Sequence, residues 1–144
     1  MKEQNYAHHA KLEPVFHFGV LPALLLTLIG SGVNLYHSWG DHTRFYSAAL
    51  LVVLTFCVIM AALFARMFAL KAQDRAIRAE ENFRHYLLTG KPLDARLTVR
   101  QIIGLRFAPD EEFPALAAKA AADGSSEDDI KKSVKNWKAD HYRV

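Results

Sequence analysis

Residues 46–88 decide the fold of this chain: YSAALLVVLTFCVIMAALFARMFALKAQDRAIRAEENFRHYLL. The first half of this stretch, up to residue 65, carries no charge, and the second half is densely charged. Neither Pro nor Gly interrupts it, and because those two residues weaken helices most, the pattern predicts one continuous helix. At about 1.5 Å per residue its 43 residues would measure roughly 65 Å, about twice the thickness of a bilayer's hydrocarbon core. The sequence therefore predicts that the apolar half crosses a membrane and that the charged half stands in water.

The composition of the whole chain excludes some classes of function. With 144 residues the chain has the length of one ordinary domain. Its net charge of +3 is too small to indicate nucleic-acid binding by itself. The only cysteine, Cys57, lies in the apolar run. No disulfide can therefore form within the chain, and we interpret Cys57 as a small apolar side chain.

A second apolar segment, residues 16–36, contains no Asp, Glu, Lys or Arg and is long enough for one transmembrane helix. Pro22 lies inside it and removes one backbone hydrogen bond, so we expect a modest kink there. Residues 37–45 are too few for a ligand-binding domain and are predicted to form a turn at the headgroup level. The predicted fold is an all-α membrane protein, a transmembrane helical hairpin whose second helix extends into the cytoplasm, followed by a small bundle of short helices.

Several short helices are predicted after the long one. Gly90 followed by Pro92 ends the long helix. Thr98 and Gln101 have the spacing of a capping box, which predicts a helix to about residue 107. Residues 115–122 are predicted to form the next helix.

Gly124 is predicted to end that helix, and Ser125 or Ser126 to cap the last one. The apolar face of the last helix is predicted to contain Ile130, Val134 and Trp137. The predicted organisation of the chain is a polar N-terminal arm (1–15), a transmembrane hairpin (16–65, with spans 16–36 and 46–65), a cytoplasmic helix extension (66–89) and a C-terminal region of short helices (90–144).

Basic residues near the membrane predict the orientation of the hairpin. The connecting turn contains only Arg44. The two flanking segments contain Lys2, Lys11, Arg66, Lys71, Arg75 and Arg78. Because cytoplasmic segments carry the excess of Lys and Arg, both termini are predicted to be cytoplasmic. The last four of these residues form a predicted membrane-surface basic group at the level of anionic headgroups.

Two stripes of small residues predict where other helices pack. In the first span such residues recur at every fourth position: Gly19, Ala23, Thr27 and Ser31. In the long helix a stripe spaced by threes and fours continues beyond the membrane: Ala61, Ala65, Ala69, Ala72, Ala76, Ala79, Phe83 and Leu87. Small residues let helices approach closely. The long stripe has two open interpretations, packing against the chain's own helices or against a helix of a second chain.

No group of residues has the pattern of a catalytic, cofactor or metal site. Adjacent His8 and His9 lack a Cys or carboxylate at metal-ligand spacing, and the acidic clusters lack a nucleophile with an oriented base. His17 and His37 lie at opposite ends of the first span, roughly 30 Å apart. They cannot share one cofactor, although either could contact a cofactor held by another chain. The charges of residues 94–144 sum to zero, which argues against DNA binding.

Four segments together resemble a known family: QNYAHHAKLEPVFHF (4–18), FALKAQDRAIRAEE (68–81), LRFAPDEEFPAL (105–116) and IKKSVKNWKADHYRV (130–144). The family consists of small bacterial inner-membrane proteins known only as a domain of unknown function, with two spans and a cytoplasmic C-terminal region. The resemblance covers nearly the whole chain. It implies a bacterial inner-membrane location, and it brings no activity, ligand or catalytic residue with it.

The sequence thus predicts a non-enzymatic inner-membrane accessory or scaffold protein that binds a partner, or a second copy of itself, through its cytoplasmic helices. The predicted partners are membrane lipid and protein, without nucleic acid, cofactor or small-molecule substrate. The polar region is too small to enclose a deep pocket. The alternative is a small subunit of a larger membrane redox or transport complex.

Overall fold

The computed structural model describes residues 5–6 and 12–140. These residues form helices joined by turns and irregular segments, which confirms the all-helical prediction for this part of the chain. In order, a π-helical segment (Val15–Val20) leads into α1 (Leu21–His37), and α2 (His42–Thr89), α3 (Val99–Leu105), α4 (Phe113–Asp123) and α5 (Glu127–Ser133) follow. The described residues divide into two compact units. One holds Leu12–Ala69, and the other holds the residues from Leu70 onward together with Asn5 and Tyr6.

In the first unit, α1 and α2 form a hairpin with a shorter connection than the sequence predicted. Only residues 38–41 lie between the helices, not 37–45. Gly40 takes a left-handed backbone conformation (φ 95°), and the Asp41 carboxylate accepts the backbone N–H of Arg44 at 3.1 Å. Asp41 therefore caps α2, because it satisfies an N–H group that has no partner within the helix. This cap starts α2 at His42, four residues before the predicted residue 46.

Pro22 is preceded by a π-helical segment. Residues Val15–Val20 are π-helical, and the N–H of Leu21 bonds to the carbonyl of Phe16, five residues back. A proline ring inside an α-helix clashes with the carbonyl four residues before it. The wider π-helical turn changes the position of those carbonyls just before Pro22. The irregularity at Pro22 is thus a π-helical segment just before it.

Helix α2 is a single helix of 48 residues, about 72 Å long at about 1.5 Å per residue. Its one unbroken course confirms the prediction from the absence of Pro and Gly in residues 46–88. Gly90 has a φ of 72°, and its N–H bonds to the carbonyl of Tyr86 at 2.8 Å. Gly90 therefore ends the helix as predicted, since a residue without Cβ adopts this conformation at least cost.

The second unit has a small core formed by α3, α4 and α5. Leu105, Phe107 and Phe113 are fully buried. A Cβ added to Gly104 would lie 3.0 Å from the backbone oxygen of Glu127. Helices α3 and α5 therefore approach each other so closely at this point that only glycine fits without a shift.

Both predicted caps of these helices are present. Thr98 and Gln101 form the capping box of α3. Ser126, and not Ser125, caps α5 together with Asp129. Gly124 ends α4 with a φ of 64°. The bounds of α4 extend the predicted 115–122 by a residue or two at each end, as is usual for sequence-based bounds.

The last helix is shorter than predicted. Helix α5 ends at Ser133, and Val134 is extended, so Val134 and Trp137 do not lie on a face of α5 with Ile130. The Glu112 carboxylate accepts the backbone N–H groups of Lys135 at 2.9 Å and Asn136 at 3.1 Å. These N–H groups are thereby satisfied without continuing the helix. Ile130 and Val134 are nevertheless buried, as the apolar pattern predicted. Helix α3 likewise ends at Leu105 rather than near residue 107.

Candidate functional site

The last turns of α2 are bound to the C-terminal helices by Arg84. Its guanidinium donates to Glu81 at 2.9 Å, to Asp110 through Nε at 2.7 Å and to the carbonyl of Ala108 at 2.8 Å. It also lies 4.5 Å from the centroid of the Phe113 ring. The Arg84 side chain is only 13% exposed. The partner of Arg84 within α2 is thus Glu81, three residues before it.

Two further polar contacts hold the segment after α2. The backbone N–H of Leu93 donates to Oδ1 of Asn82 at 2.9 Å. Nδ1 of His85 lies 2.8 Å from the carbonyl oxygen of Lys91, to which it donates when that nitrogen carries the proton. The His85 ring also meets the Phe113 ring edge-on, with the centroids 5.8 Å apart. The chain is thus folded back against α2 directly after Gly90.

One side of the distal half of α2 is buried within the chain, and the predicted partner face is exposed. Ile77 and Glu81 are buried. The members of the long stripe in this part of α2 are exposed: Ala72, Ala76, Ala79, Phe83 and Leu87. Phe83 is 62% exposed and Leu87 is 67% exposed. The chain's own described helices therefore do not cover this face, and a second chain remains the open interpretation.

In the hairpin, the buried residues are mostly not those of the predicted stripes. Of the first-span stripe, Ser31 is buried, whereas Gly19, Ala23 and Thr27 are exposed. Ala61 and Ala65 are exposed and Ala69 is half-buried. The buried positions of α2 here are Ala48, Thr55 and Ile59. Their spacing of seven and four was visible in the sequence, but alanines on every side of the helix gave several equally good stripes.

A groove of about 360 Å³ lies beside the uncovered face of α2. Its lining residues are Arg75, Arg78, Ala79 and Asn82 of α2, and Leu93, Asp94, Ala95, Leu97 and Ile102 of the following segment. Arg75 and Arg78 are exposed, and neither forms an ion pair with another described residue. The groove thus combines two unpaired positive charges with an amide and an apolar floor, an arrangement that can bind an anionic group.

Asp94, the carboxylate among the described groove residues, already accepts hydrogen bonds from Arg96. Asp94 Oδ2 accepts Arg96 Nη2 at 2.7 Å, and Asp94 Oδ1 accepts Arg96 Nε at 3.0 Å and the Arg96 backbone N–H at 2.9 Å. The Arg96 side-chain hydrogen bonds are the main cause that lowers the pKa of Asp94 to about 2. Asp94 and Arg96 therefore contribute no net charge, and Arg75 and Arg78 set the charge of the groove.

The residues of the predicted membrane-surface basic group have different local surroundings. The Arg66 guanidinium lies 5.5 Å from the centroid of the Phe16 ring in the hairpin unit. Lys71 is exposed, and Arg75 with Arg78 lines the groove. The sequence placed all four at the membrane surface by their position along the helix. It gave no sign of the groove, because the opposite wall depends on how residues 91–102 fold back.

The histidines of the first span have local contacts. Nδ1 of His17 lies 2.8 Å from the carbonyl oxygen of Glu13, and the His37 ring meets the Tyr36 ring edge-on at 5.6 Å. Among the described residues no group of three or more His, Cys, Asp or Glu side chains could hold a metal ion. His8, His9, Lys2 and Lys11 and most of the predicted N-terminal arm lie outside the described residues.

Comparisons with curated proteins and with solved structures gave no match. A family model described as a family of unknown function (DUF6526) matches residues 1–144. This match confirms the resemblance to a family of unknown function, while the bacterial inner-membrane location that the resemblance implied stays a prediction. The chain belongs to the family of unknown function DUF6526.

Proposed function

We propose that this chain is a non-enzymatic accessory or scaffold protein of the bacterial inner membrane. In this proposal α1 and the apolar half of α2 cross the membrane as a hairpin with both termini in the cytoplasm. The distal half of α2 then binds a helix of a partner, either a second copy of the chain or another protein. The exposed face of α2 is the observation that carries the proposal.

The exposed apolar surface of the hairpin supports the membrane part of the proposal. Val15–His37 and His42–Thr89 are each long and apolar enough to cross a membrane. In the most apolar part of the first segment only 6% is buried within the chain, and in the most apolar part of the second segment 17% is buried. A core helix of a water-soluble protein would be mostly buried, because exposed apolar surface of this extent is unfavourable in water. The exposed rings of Tyr36 and Trp39 at the turn suit the headgroup level.

The spacing of exposed residues in the distal half of α2 supports the proposal that this helix binds a partner helix. Four members of the predicted stripe, continued by the exposed Tyr86 in place of Leu87, follow one another at intervals of four, three, four and three: Ala72, Ala76, Ala79, Phe83 and Tyr86. This is the spacing of a coiled-coil seam. The buried residues Ile77 and Glu81 lie outside this seam, on the other side of α2. The chain therefore covers the back of α2 and leaves the seam for another helix.

A membrane anchor would favour such pairing. Two copies in the same membrane would present their α2 helices side by side and parallel, which is the arrangement of two-stranded coiled coils with this spacing. A seam of two heptads is marginal for free helices in water. Confinement to one membrane raises the effective concentration of the second helix and so offsets part of the association cost.

Cysteine labelling in native membranes tests this proposal. On a Cys57→Ser background, Phe83→Cys places the only thiol in the seam, and Leu88→Cys places it at another exposed apolar position, outside the seam. We expect a water-soluble maleimide to label position 83 at least fivefold more slowly than position 88, and both equally after denaturation. Oxidation would then give a dimer through position 83 if the partner is a second copy. Equal labelling rates in native membranes would overturn the proposal for any partner.

A further inference from the structure

The groove beside α2 has a charge that its own residues do not balance. Arg75 and Arg78 are three residues apart, so their side chains leave α2 on the same side. Both are exposed, and neither pairs with another described residue. Like charges at this spacing repel each other. An anion bound between them would remove this repulsion.

Neither Asp94, which lines the groove, nor Asp74, which is adjacent to Arg75 in sequence, supplies that anion. Asp94 lines the groove, but both of its oxygens are bound to Arg96 at 2.7 Å and 3.0 Å. Asp74 precedes Arg78 by four residues, a spacing that favours an ion pair. Among the described residues, however, Asp74 and Arg78 form no such pair. The two guanidinium groups therefore keep their donors available for a ligand.

The remaining groups of the groove define the kind of ligand. Asn82 uses Oδ1 to accept the Leu93 N–H at 2.9 Å, and its two amide N–H donors are left for a ligand. Leu93, Leu97 and Ile102 add apolar surface. A volume of about 360 Å³ is at the small end of the range for small-molecule sites, about 300–1,000 Å³.

We propose that this groove binds a phosphate ester, with the phosphate held by Arg75 and Arg78 and the carbon part against Leu93 and Leu97. A guanidinium group matches phosphate oxygens with two parallel N–H donors, which favours phosphate over a spherical anion. The ester has two possible sources, the headgroup of an anionic phospholipid or a soluble phosphorylated metabolite. Groove and seam share only Ala79, and neither arginine belongs to the seam, so substitution of Arg75 and Arg78 tests this binding separately from the seam.

The test uses the full-length chain in a neutral detergent and two double variants of equal charge. Arg75→Gln with Arg78→Gln removes the two groove charges, whereas Lys91→Gln with Lys119→Gln removes two exposed charges that do not line the groove. The soluble probe is glycerol 3-phosphate, followed by calorimetry. The lipid probe is phosphatidylglycerol against phosphatidylcholine, followed by native mass spectrometry. Circular dichroism verifies that each variant keeps its helices, which we expect because all four residues are exposed.

We expect the groove variant to bind at least tenfold more weakly than the wild type, and the control variant to remain within twofold of it. Binding of both probes, or of either one, supports the proposal, and the probe that binds more tightly identifies the source of the ester. Binding of neither probe by the wild type overturns it. Equal losses in the two double variants also overturn it, because they would show attraction by net charge alone.

Discussion

Arg84 and Asp110 join the end of α2 to the turn between α3 and α4, with Nη2 of the guanidinium 2.6 Å from a carboxylate oxygen. The same guanidinium pairs with Glu81, whose side chain is 11% exposed. Removal of Arg84 would leave the Glu81 carboxylate and the Ala108 carbonyl without this donor in a largely buried place. We therefore expect Arg84→Ala to lower the free energy of unfolding of the second unit by about 2–3 kcal/mol.

Urea unfolding in detergent measures this change, with Trp137 fluorescence as the probe on a Trp39→Phe background. Arg78→Ala is the matched control, since Arg78 is exposed and forms no ion pair with a described residue. Its effect should stay within about 0.5 kcal/mol. If both substitutions had the same effect, Arg84 would not be holding the C-terminal helices to α2.

Glu112 makes the packing of the segment after α5 sensitive to acid. The backbone N–H of Lys135 is the main cause that lowers the pKa of Glu112, and Asn136 adds two hydrogen bonds. A lowered pKa in the folded state means that the stabilisation is complete above the unfolded value, about 4.3, and is lost as the pH falls through the folded value. We expect Trp137, which packs on Phe107 at 4.8 Å, to keep its emission from pH 7 to about pH 5 and to shift to the red below about pH 4.

The comparison with Glu112→Gln isolates this residue, because Asp129 also has a lowered pKa and contributes its own acid step. In Glu112→Gln the emission at pH 7 should already be partly shifted, and the acid step should be smaller. An acid step of unchanged size would assign the titration to another carboxyl group.

Gln101 has two roles that one substitution separates. Its Oε1 accepts the backbone N–H of Thr98 at 2.8 Å, and its Nε2 donates to the carbonyl of Ser125 at 2.8 Å. Gln101→Glu keeps the cap of α3 but places a carboxylate against that carbonyl in a buried position. We expect a loss of about 2 kcal/mol for Gln101→Glu, against about 1 kcal/mol for Thr98→Ala, which removes the hydroxyl of the cap. Thermal unfolding followed by circular dichroism at about 222 nm shows which of the two substitutions destabilises more. The reverse order would contradict the contact with Ser125.

Gly104 permits the close approach of α3 and α5. In Gly104→Ala the new methyl group would lie 3.0 Å from the Glu127 backbone oxygen and 3.3 Å from a methyl carbon of Ile130. Relief of this overlap should cost about 1–3 kcal/mol, measured as a lower unfolding midpoint. Gly30→Ala in α1 is the control, since a Cβ there would meet nothing within 4 Å. A neutral Gly104→Ala would mean that α5 moves away without loss.

The proposed orientation predicts different labelling at the two ends of the hairpin. On the Cys57→Ser background, Trp39→Cys should react with a membrane-impermeant maleimide in cells whose outer membrane has been made permeable. Leu88→Cys should react only after the inner membrane is also opened. The opposite result would reverse the topology, and equal reaction of both in sealed cells would contradict a membrane-spanning hairpin.

The elements of this fold were predictable where one local signal determined them. The absence of Pro and Gly predicted α2, Gly90 and Gly124 predicted two helix ends, and Thr98 with Gln101 predicted a cap. The end of α5 was not predictable locally, because it depends on the Glu112 carboxylate. That carboxylate reaches Asn136 from 24 residues away.

The candidate site was predictable only in part, for a related reason. The sequence predicted the stripe that contains Ala72 and Phe83, and it predicted Arg75 and Arg78 only as two members of a basic group of four. It did not show which side of α2 the chain itself covers, because alanine is compatible with both buried and exposed helix positions. The contacts of Arg84 and Asn82 decide that question, and each joins α2 to a segment whose position no periodicity predicts.

The polar contacts of the second unit join residues at similar distances along the chain, 26 residues for Arg84 and Asp110 and 24 for Gln101 and Ser125. Helical proteins with such local contacts fold in microseconds to milliseconds, whereas a ribosome adds about 5–20 residues per second. Asp110 therefore follows Arg84 out of the ribosome by about 1–5 s, far longer than folding itself takes. During that interval the side of α2 that contains Ile77 is not yet covered. Because the core of the second unit also needs Ile130 of α5, this newly made helix stays exposed to chaperones and proteases until α5 has emerged as well.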